Sequence, residues 1–308
     1  MKTISVIVPC FNEEESLELF YQAISKFWQD EKLYSEYEPE LYFIDDGSKD
    51  RTYEILKNLS AEHDEVHFVS FSRNFGKEAA MFCGLRQISG DAAIVIDADL
   101  QHPVETIKPM IEKWQEGYEI VEGVKSSRGK EKKTHGLFAG LFYKLICKMT
   151  GFDMKDSSDF KLIDRKVIDA LNTIEEKETF FRALTFWTGF RSTNVEYEVH
   201  ERVAGQSKWS VKSLISYAIK NLTSFTFTPL YLIAYLGIFV LLIGFVLGID
   251  AVVSYFLGKA VGGYPSLVIL ITLATGAILI SIGIIAIYIA KMYQEIKNRP
   301  RYIIQDKK

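Results

Sequence analysis

The stretch that decides the fold is Ala92-Ala93-Ile94-Val95-Ile96-Asp97-Ala98-Asp99-Leu100-Gln101-His102-Pro103. Its first part, Ala92–Ile96, is an uninterrupted apolar run, which is typical of a parallel strand covered on both faces. Two carboxylates, Asp97 and Asp99, follow where this run ends. Hard oxygen ligands of this kind suit Mg²⁺ or Mn²⁺ bridging a diphosphate. A D-x-D sequence alone is common in loops, so its meaning depends on its surroundings.

Upstream of this stretch, apolar runs alternate with segments of helical periodicity. The predicted strands are Thr3–Val8, Leu41–Ile44, Val66–Phe71 and Ala92–Ile96, and the predicted helices are Glu14–Trp28, Thr52–Ala61, Gly76–Ile88 and Val104–Trp114. Regular alternation predicts an α/β fold with a mostly parallel central sheet and right-handed crossovers. Further strands are expected at Asp159–Ile163 and Val195–Val199, and Asp164 is expected to cap a helix that begins near Arg165.

Polar clusters follow each of the first predicted strands. They are Asn12-Glu13-Glu14, Asp45-Asp46-Gly47-Ser48, Ser72-Arg73-Asn74 and Asp97–Asp99. In doubly wound sheets ligands bind at the carboxyl ends of the strands, so these clusters are expected to form one rim. A solvated loop explains any one cluster but not their joint placement.

Two apolar stretches without charges, Phe225–Ile249 and Ser266–Ile289, lie in the C-terminal part of the chain. Each is long enough for a helix that crosses a bilayer, which takes about 20 residues. Basic residues flank the pair on both outer sides, whereas the connection carries only Asp250 and Lys259. The positive-inside rule then predicts a hairpin in the cell membrane with both termini in the cytoplasm. A pair of buried core helices is the alternative.

The composition and the absence of certain motifs argue against several classes of function. The chain has 308 residues and a formal net charge of −4, which argues against binding nucleic acid. Three scattered cysteines form no C-x-x-C pair, as expected in a reduced compartment. The histidines lack the spacing of a zinc site, and neither a G-x-G-x-x-G motif after a strand nor a P-loop occurs.

Taken together, the motifs resemble those of family 2 glycosyltransferases, specifically the polyisoprenyl-phosphate glycosyltransferases that include dolichol-phosphate mannose synthase and bactoprenol glucosyltransferase. The segments that carry the resemblance are Val8–Glu14, Asp45–Ser48, Ser72–Lys77, Asp97–Pro103, Asp159–Leu162 and Arg202–Trp209. It implies a GT-A domain at 1–209, a juxtamembrane amphipathic helix at 210–224, a two-helix transmembrane hairpin at 225–290 and a cytoplasmic basic tail at 291–308. The basic run Lys125–Lys133 and the amphipathic stretch Leu137–Met149 are expected to gather the lipid headgroup, with a solvated loop as the alternative for the basic run.

The resemblance also implies roles for individual residues. The nucleotide sugar would be bound by Pro9, Asn12, Glu13, Asp46, Lys77, Asp97 and Gln101, with Asp46 meeting the base. Asp97 and Asp99 would hold the metal ion, Mg²⁺ or Mn²⁺. Phosphate or acceptor would be bound by Arg73, Arg128, Ser207 and Lys208. The catalytic residues would be Asp159, Arg202 and Lys208.

Asp159 matches the acidic residue usually proposed as the base. A lipid phosphate, however, has a second pKa near ~6 by analogy with phosphoserine, and is already largely dianionic at neutral pH. Such a nucleophile needs little deprotonation. Asp159 is therefore open to three interpretations: a base, a group that orients the sugar and supports positive charge, or a buried structural carboxylate.

The resemblance implies inverting, metal-dependent transfer of one sugar from a nucleotide sugar to a polyisoprenyl phosphate at the cytoplasmic membrane face. UDP-glucose and undecaprenyl phosphate are the first choice, and UDP-N-acetylglucosamine and GDP-mannose stay open. A polysaccharide synthase would need a Q-x-x-R-W motif and more spans, and a non-catalytic membrane scaffold would not explain the polar rim. A homo-oligomer is a further expectation, because small residues can pack helices closely at Gly237, Gly244, Gly248, Gly276 and Gly283, with the ordinary glycine content of membrane helices as the alternative.

Overall fold

The computed structural model describes residues 1–126, 158–176, 180–198, 228–258 and 263–308. The chain divides into two compact units: Met1–Ser210 together with Pro300–Lys308, and Val211–Arg299. The first unit contains the strands β1 Lys2–Cys10, β2 Tyr37–Asp45, β3 Val66–Phe71, β4 Ala92–Val95, β5 Ile120–Lys125, β6 Lys161–Asp164, β7 Ser192–Tyr197 and β8 Ile304–Lys307. They form one sheet in the order β7-β5-β6-β4-β1-β2-β3-β8.

The helices of this unit lie between the strands, as the alternation of apolar runs predicts. They are α1 Leu17–Asp30, α2 Thr52–Glu62, α3 Lys77–Gln87, α4 Ile107–Gln115, α5 Arg165–Asn172 and α6 Phe181–Trp187. The predicted cap of α5 is confirmed, since an Asp164 carboxylate oxygen accepts a hydrogen bond from the Lys166 N–H at 2.9 Å.

The sheet is mostly parallel at its centre, which confirms the predicted fold class. β1 pairs in parallel with β2 and β4, and β2 pairs in parallel with β3. β6 runs antiparallel to both β4 and β5. Apolar side chains of β1 are completely buried on both faces, and each such side chain stabilises the fold by about 1.5–3 kcal/mol.

Helix α3 packs unusually close to the centre of the sheet. At Gly84 an added Cβ would lie 2.4 Å from the Ile7 Cγ2, so the close approach requires glycine at this position. This close approach holds α3, which begins at Lys77, against β1.

The C-terminal segment differs from the prediction of a basic tail at 291–308. Its residues Ile304–Lys307 form β8, which pairs antiparallel with β3, and the Ser72 N–H donates to the Ile303 carbonyl at 3.0 Å. The Tyr302 ring stacks on Phe71 with centroids 4.9 Å apart. This strand was missed because it is a short edge strand whose lysines resemble a solvated tail, although edge strands often carry lysine.

The second unit contains α7 Thr228–Phe256 and α8 Tyr264–Ile296. In the part of the chain that the structure describes, one helical stretch is long and apolar enough to cross a membrane. It is Leu273–Ile296, which has 24 residues and a mean hydropathy of 2.4, and none of it is buried inside the protein. The apolar stretch in α7, Tyr235–Leu247, is shorter than the ~20 residues that a span requires. The prediction of two spans is thus supported for α8 and not confirmed for α7.

Candidate active site

The loops after β1 and β2 are joined to each other by hydrogen bonds. The Asn12 N–H donates to Ser48 Oγ at 2.9 Å, and Asn12 Oδ1 accepts from the Lys49 N–H at 2.9 Å. The Glu13 N–H donates to Thr52 Oγ1 at 2.8 Å. Asn12 and Glu13 therefore help to build the rim. Pro9, at the end of β1, pairs with Ile44 of β2 and supports the same edge.

Asp46 supports the loop between β3 and α3, and its expected contact with a base stays a prediction. Its carboxylate is buried and accepts hydrogen bonds from the Phe75 N–H at 2.6 Å and the Gly76 N–H at 2.8 Å. Burial raises the pKa of Asp46, and the two N–H groups oppose that effect. The two carboxylate oxygens thus hold the loop between β3 and α3, because these N–H groups lie in sequence just before the helix.

The same loop carries Arg73 at the exposed rim. Its guanidinium lies 4.1 Å from the centroid of the Phe75 ring, and its Nη1 donates to the Asn74 carbonyl at 3.0 Å. The loop backbone approaches Gly47 so closely that an added Cβ would lie 2.3 Å from the Arg73 carbonyl carbon. Gly47 also has a φ of +65°, so it is required here for two independent reasons.

A continuous chain of opposite charges crosses the carboxyl ends of the central strands. Lys77 Nζ lies 2.6 Å from Asp97 Oδ1 and 3.3 Å from Asp159 Oδ2. Arg182 then contacts Asp159 with two nitrogens, Nε to Oδ1 at 2.7 Å and Nη2 to Oδ2 at 2.9 Å. The structure thus brings together three residues that the sequence predicted and one, Arg182, that it did not.

These contacts fix the protonation states of the central groups. Burial disfavours the charge of Asp159, but Lys77 and Arg182 outweigh it and hold the pKa of this carboxyl well below its usual range. Burial likewise disfavours the charge of Lys77, while Asp97 and Asp159 raise its pKa above the ordinary value. Asp159 is therefore ionised at neutral pH, and a carboxylate with so low a pKa is a weak general base.

Asp97 and Asp99 meet the chemical requirement for a divalent cation. Asp97 keeps 28% of its side chain exposed. Asp99 Oδ1 accepts from the Gln101 N–H at 3.1 Å, in a turn where Leu100 has a φ of +57°. Among the described residues no group of three or more His, Cys, Asp or Glu side chains could hold a metal. Two carboxylates suffice for Mg²⁺, which keeps several waters and binds substrate phosphates in addition.

An aromatic cluster lies beneath the turn that contains Asp99. The His102 ring lies 5.0 Å from Phe160 and 5.5 Å from Tyr197, between centroids. Burial lowers the pKa of His102, so the ring is neutral at physiological pH. His102 thus packs as a neutral ring against Phe160 and Tyr197. Gly123 completes the packing, because an added Cβ would lie 2.5 Å from Phe160 Cδ1.

Sequence reasoning missed Lys161 as well as Arg182. Lys161 is completely buried in β6, and its Nζ contacts Glu122 Oε1 at 2.8 Å and Thr185 Oγ1 at 2.9 Å. The sequence does contain an indication of both residues, because each is a cation inside an otherwise apolar segment. A charge that is buried with such a segment needs a partner of opposite charge or a hydrogen bond. Four predicted site residues, Arg128, Arg202, Ser207 and Lys208, lie outside the residues that the structure describes.

Comparison with known proteins adds independent information. Residues 5–171 match the family model described as glycosyl transferase family 2. The chain is 41% identical over 310 residues to a bactoprenol glucosyl transferase from Shigella phage SfX, covering 99% of both chains. It is 40% identical over 304 residues to a prophage bactoprenol glucosyl transferase homolog from Escherichia coli K12, covering 98% of both.

Among solved structures, one similar chain is glucosyl-3-phosphoglycerate synthase from Mycobacterium tuberculosis, in complex with Mn²⁺, UDP-glucose and phosphoglyceric acid. The TM-score is 0.46 at 20% sequence identity, with 70% of this chain and 76% of that chain covered.

Proposed function

This chain belongs to glycosyltransferase family 2, and on that premise we propose that it transfers one sugar from a nucleotide sugar to a polyisoprenyl phosphate at a membrane. The observation that carries the proposal is the charge chain Asp97–Lys77–Asp159–Arg182 at the carboxyl ends of the strands, in a chain that also contains the apolar stretch Leu273–Ile296. The charged site would bind the soluble charged donor, and the apolar stretch would hold the enzyme at the membrane that contains the lipid acceptor.

UDP-glucose is the proposed donor and undecaprenyl phosphate the proposed acceptor. The glucosyl and bactoprenol specificities come from the printed names of relatives about 40% identical over nearly the whole length. Asp97 and Asp99 would hold Mg²⁺ or Mn²⁺ together with the donor diphosphate. When bound, such an ion supplies positive charge against the departing diphosphate.

The proposed reaction forms a bond from a lipid phosphate oxygen to the anomeric carbon and breaks the bond from that carbon to the donor diphosphate. Attack from the face opposite the diphosphate inverts the configuration. The acceptor is already dianionic, so no proton has to move. Asp159 stays ionised between Lys77 and Arg182 and provides a fixed negative charge beside the sugar. Catalysis on this account is positioning and charge stabilisation.

The membrane arrangement is also proposed. The stretch Leu273–Ile296 would hold the enzyme in the cell membrane, with α7 as a second span and both termini in the cytoplasm. Arg73, Arg128, Ser207 and Lys208 would then bind the phosphate or the acceptor, and Arg202 would act in catalysis together with Lys208. Arginine suits recognition of several phosphate oxygens, and lysine supplies a point charge.

The test is a transfer assay with the purified full-length protein in liposomes that contain undecaprenyl phosphate and either Mg²⁺ or Mn²⁺. UDP-glucose, UDP-N-acetylglucosamine and GDP-mannose are offered separately, and the glycosylated lipid is detected by mass spectrometry. We expect a product from UDP-glucose that needs the metal and is lost in Asp99→Ala. A product from another donor would correct the proposed identity of the sugar. The absence of a lipid product with every donor would contradict the proposal.

A further inference from the structure

The two cations that contact Asp159 come from the first turns of two different helices. Lys77 opens α3, and Arg182 is the second residue of α6. The two helices also touch where the ring of Phe82, further along α3, meets the ring of Phe181, the first residue of α6, edge to face with centroids 6.1 Å apart. The charge around Asp159 therefore depends on how these two helix starts lie relative to each other.

One side chain joins the two helix starts directly. Glu78, the neighbour of Lys77, accepts a hydrogen bond from the Phe181 N–H through Oε2 at 2.8 Å. This N–H belongs to the first turn of α6, where backbone donors have no partner inside the helix. The residue before it, Phe180, provides no side-chain cap. Glu78 thus caps α6 from a neighbouring helix, and Arg182 follows directly in sequence.

We propose that Glu78 is a positioning residue for the transfer reaction, which holds α6 against α3 so that Lys77 and Arg182 contact Asp159 from two sides. The role rests on the proposed function, and Glu78 acts through Arg182 without touching a substrate. The Lys77–Asp159 distance of 3.3 Å is already longer than the Arg182 contacts of 2.7 and 2.9 Å. Because Arg182 lies on α6, a small shift of this helix would lengthen the Arg182 contacts and leave Asp159 with the longer Lys77 contact.

Charge adds a pH dependence to this contact. Burial, together with the negative Asp159, raises the pKa of Glu78 to about 7. The Phe181 N–H, Arg182 and Lys77 act in the opposite direction. An ionised carboxylate is the stronger acceptor, so the contact with α6 strengthens as the pH rises through this range.

The test compares Glu78→Ala and Glu78→Gln in the liposome transfer assay, with Glu54→Ala as the matched control. Glu54 is also in the first turn of a helix, but it is exposed and pairs with the exposed Arg51 at 3.7 Å. We expect Glu78→Ala to lower kcat about 10- to 100-fold with little change in the donor KM, because a shift of about 1 Å can cost that much. Glu78→Gln keeps an acceptor oxygen and should retain most of the activity. Its plot of kcat against pH should, however, lack the ionisation near pH 7, because glutamine does not titrate.

A double-mutant cycle separates positioning from a general effect on folding. If Glu78 acts through Arg182, adding Glu78→Ala to Arg182→Ala should cause little further loss, measured with radiolabelled donor. Full additivity of the two losses would overturn the proposal, as would full activity of Glu78→Ala. Wild-type protein that makes no lipid product contradicts the proposed function itself, and the role of Glu78 then falls with it.

Discussion

The substitution Asp159→Asn tests whether this carboxylate is a base or a fixed charge. It leaves the side chain's size unchanged but removes the negative charge that faces Lys77 at 3.3 Å and Arg182 at 2.7 Å. Loss of one such preorganised electrostatic group typically costs about 10²- to 10³-fold in kcat. We expect a loss of that size.

The pH profile of the transfer rate distinguishes the two roles. On the fixed-charge account, the rate of wild type falls at acid pH as the lipid phosphate gains its second proton, near pH ~6. Asp159→Asn should show the same acid limb at a lower rate, because the titrating group is the substrate. An acid limb that is present in wild type and absent from Asp159→Asn would refute this reasoning.

The same substitution also has a predicted effect on stability. Removing one partner leaves Lys77 and Arg182 without their shared carboxylate, at a cost of about 1–3 kcal/mol in the free energy of unfolding. Because the folded pKa of Asp159 is depressed, its stabilisation is present above the unfolded value of about 3.9 and is lost as the pH falls below it. Asp169→Asn, an exposed partner of Arg165, is the control and should change stability by less than about 0.5 kcal/mol. Thermal unfolding at several pH values measures both effects.

Three further predictions follow from the packing of the first unit. Gly47→Ala forces a Cβ to 2.3 Å from the Arg73 backbone at a φ of +65°, so we expect a loss of at least about 1–3 kcal/mol in thermal unfolding together with weaker donor binding by calorimetry. Lys161→Met removes the buried partner of Glu122 and should cost about 3–5 kcal/mol in denaturant unfolding, and stability equal to wild type would contradict the assigned ion pair. Truncation after Arg299 removes β8 and uncovers the edge of β3, so we expect faster aggregation by light scattering, whereas Lys308→Ala should behave as wild type.

The central part of the fold could be predicted because its strands are continuous apolar runs. β3 begins and ends where the sequence predicted, and β1, β2 and β4 differ only at their ends. β5 was not predicted, since Glu122 and Gly123 interrupt its apolar pattern. β8 was not predicted either, because a four-residue edge strand alternates half-buried and exposed positions and has no apolar run.

The candidate site was predictable in its residues but only partly in their roles. Asp97 follows a predicted strand, Lys77 lies at the start of a predicted helix and Asp159 begins a predicted strand. The topology brings the three together. Arg182 lies in a helix 23 positions after Asp159. A cation in an apolar segment indicates a buried partner, but the local sequence does not identify that partner as Asp159. Asp46 carries the residue type expected for a ligand, yet its oxygens satisfy backbone N–H groups of a neighbouring loop.

The pairing of β8 with β3 has a consequence for how the protein is made. A ribosome produces the chain from its N-terminus, so β3 is complete long before the residues of β8 exist. Both apolar helices, α7 and α8, are synthesised between these two events. Until the last residues emerge, the β3 edge has exposed backbone groups that can pair with another nascent chain. The order of synthesis therefore places completion of the sheet after production of the helical unit.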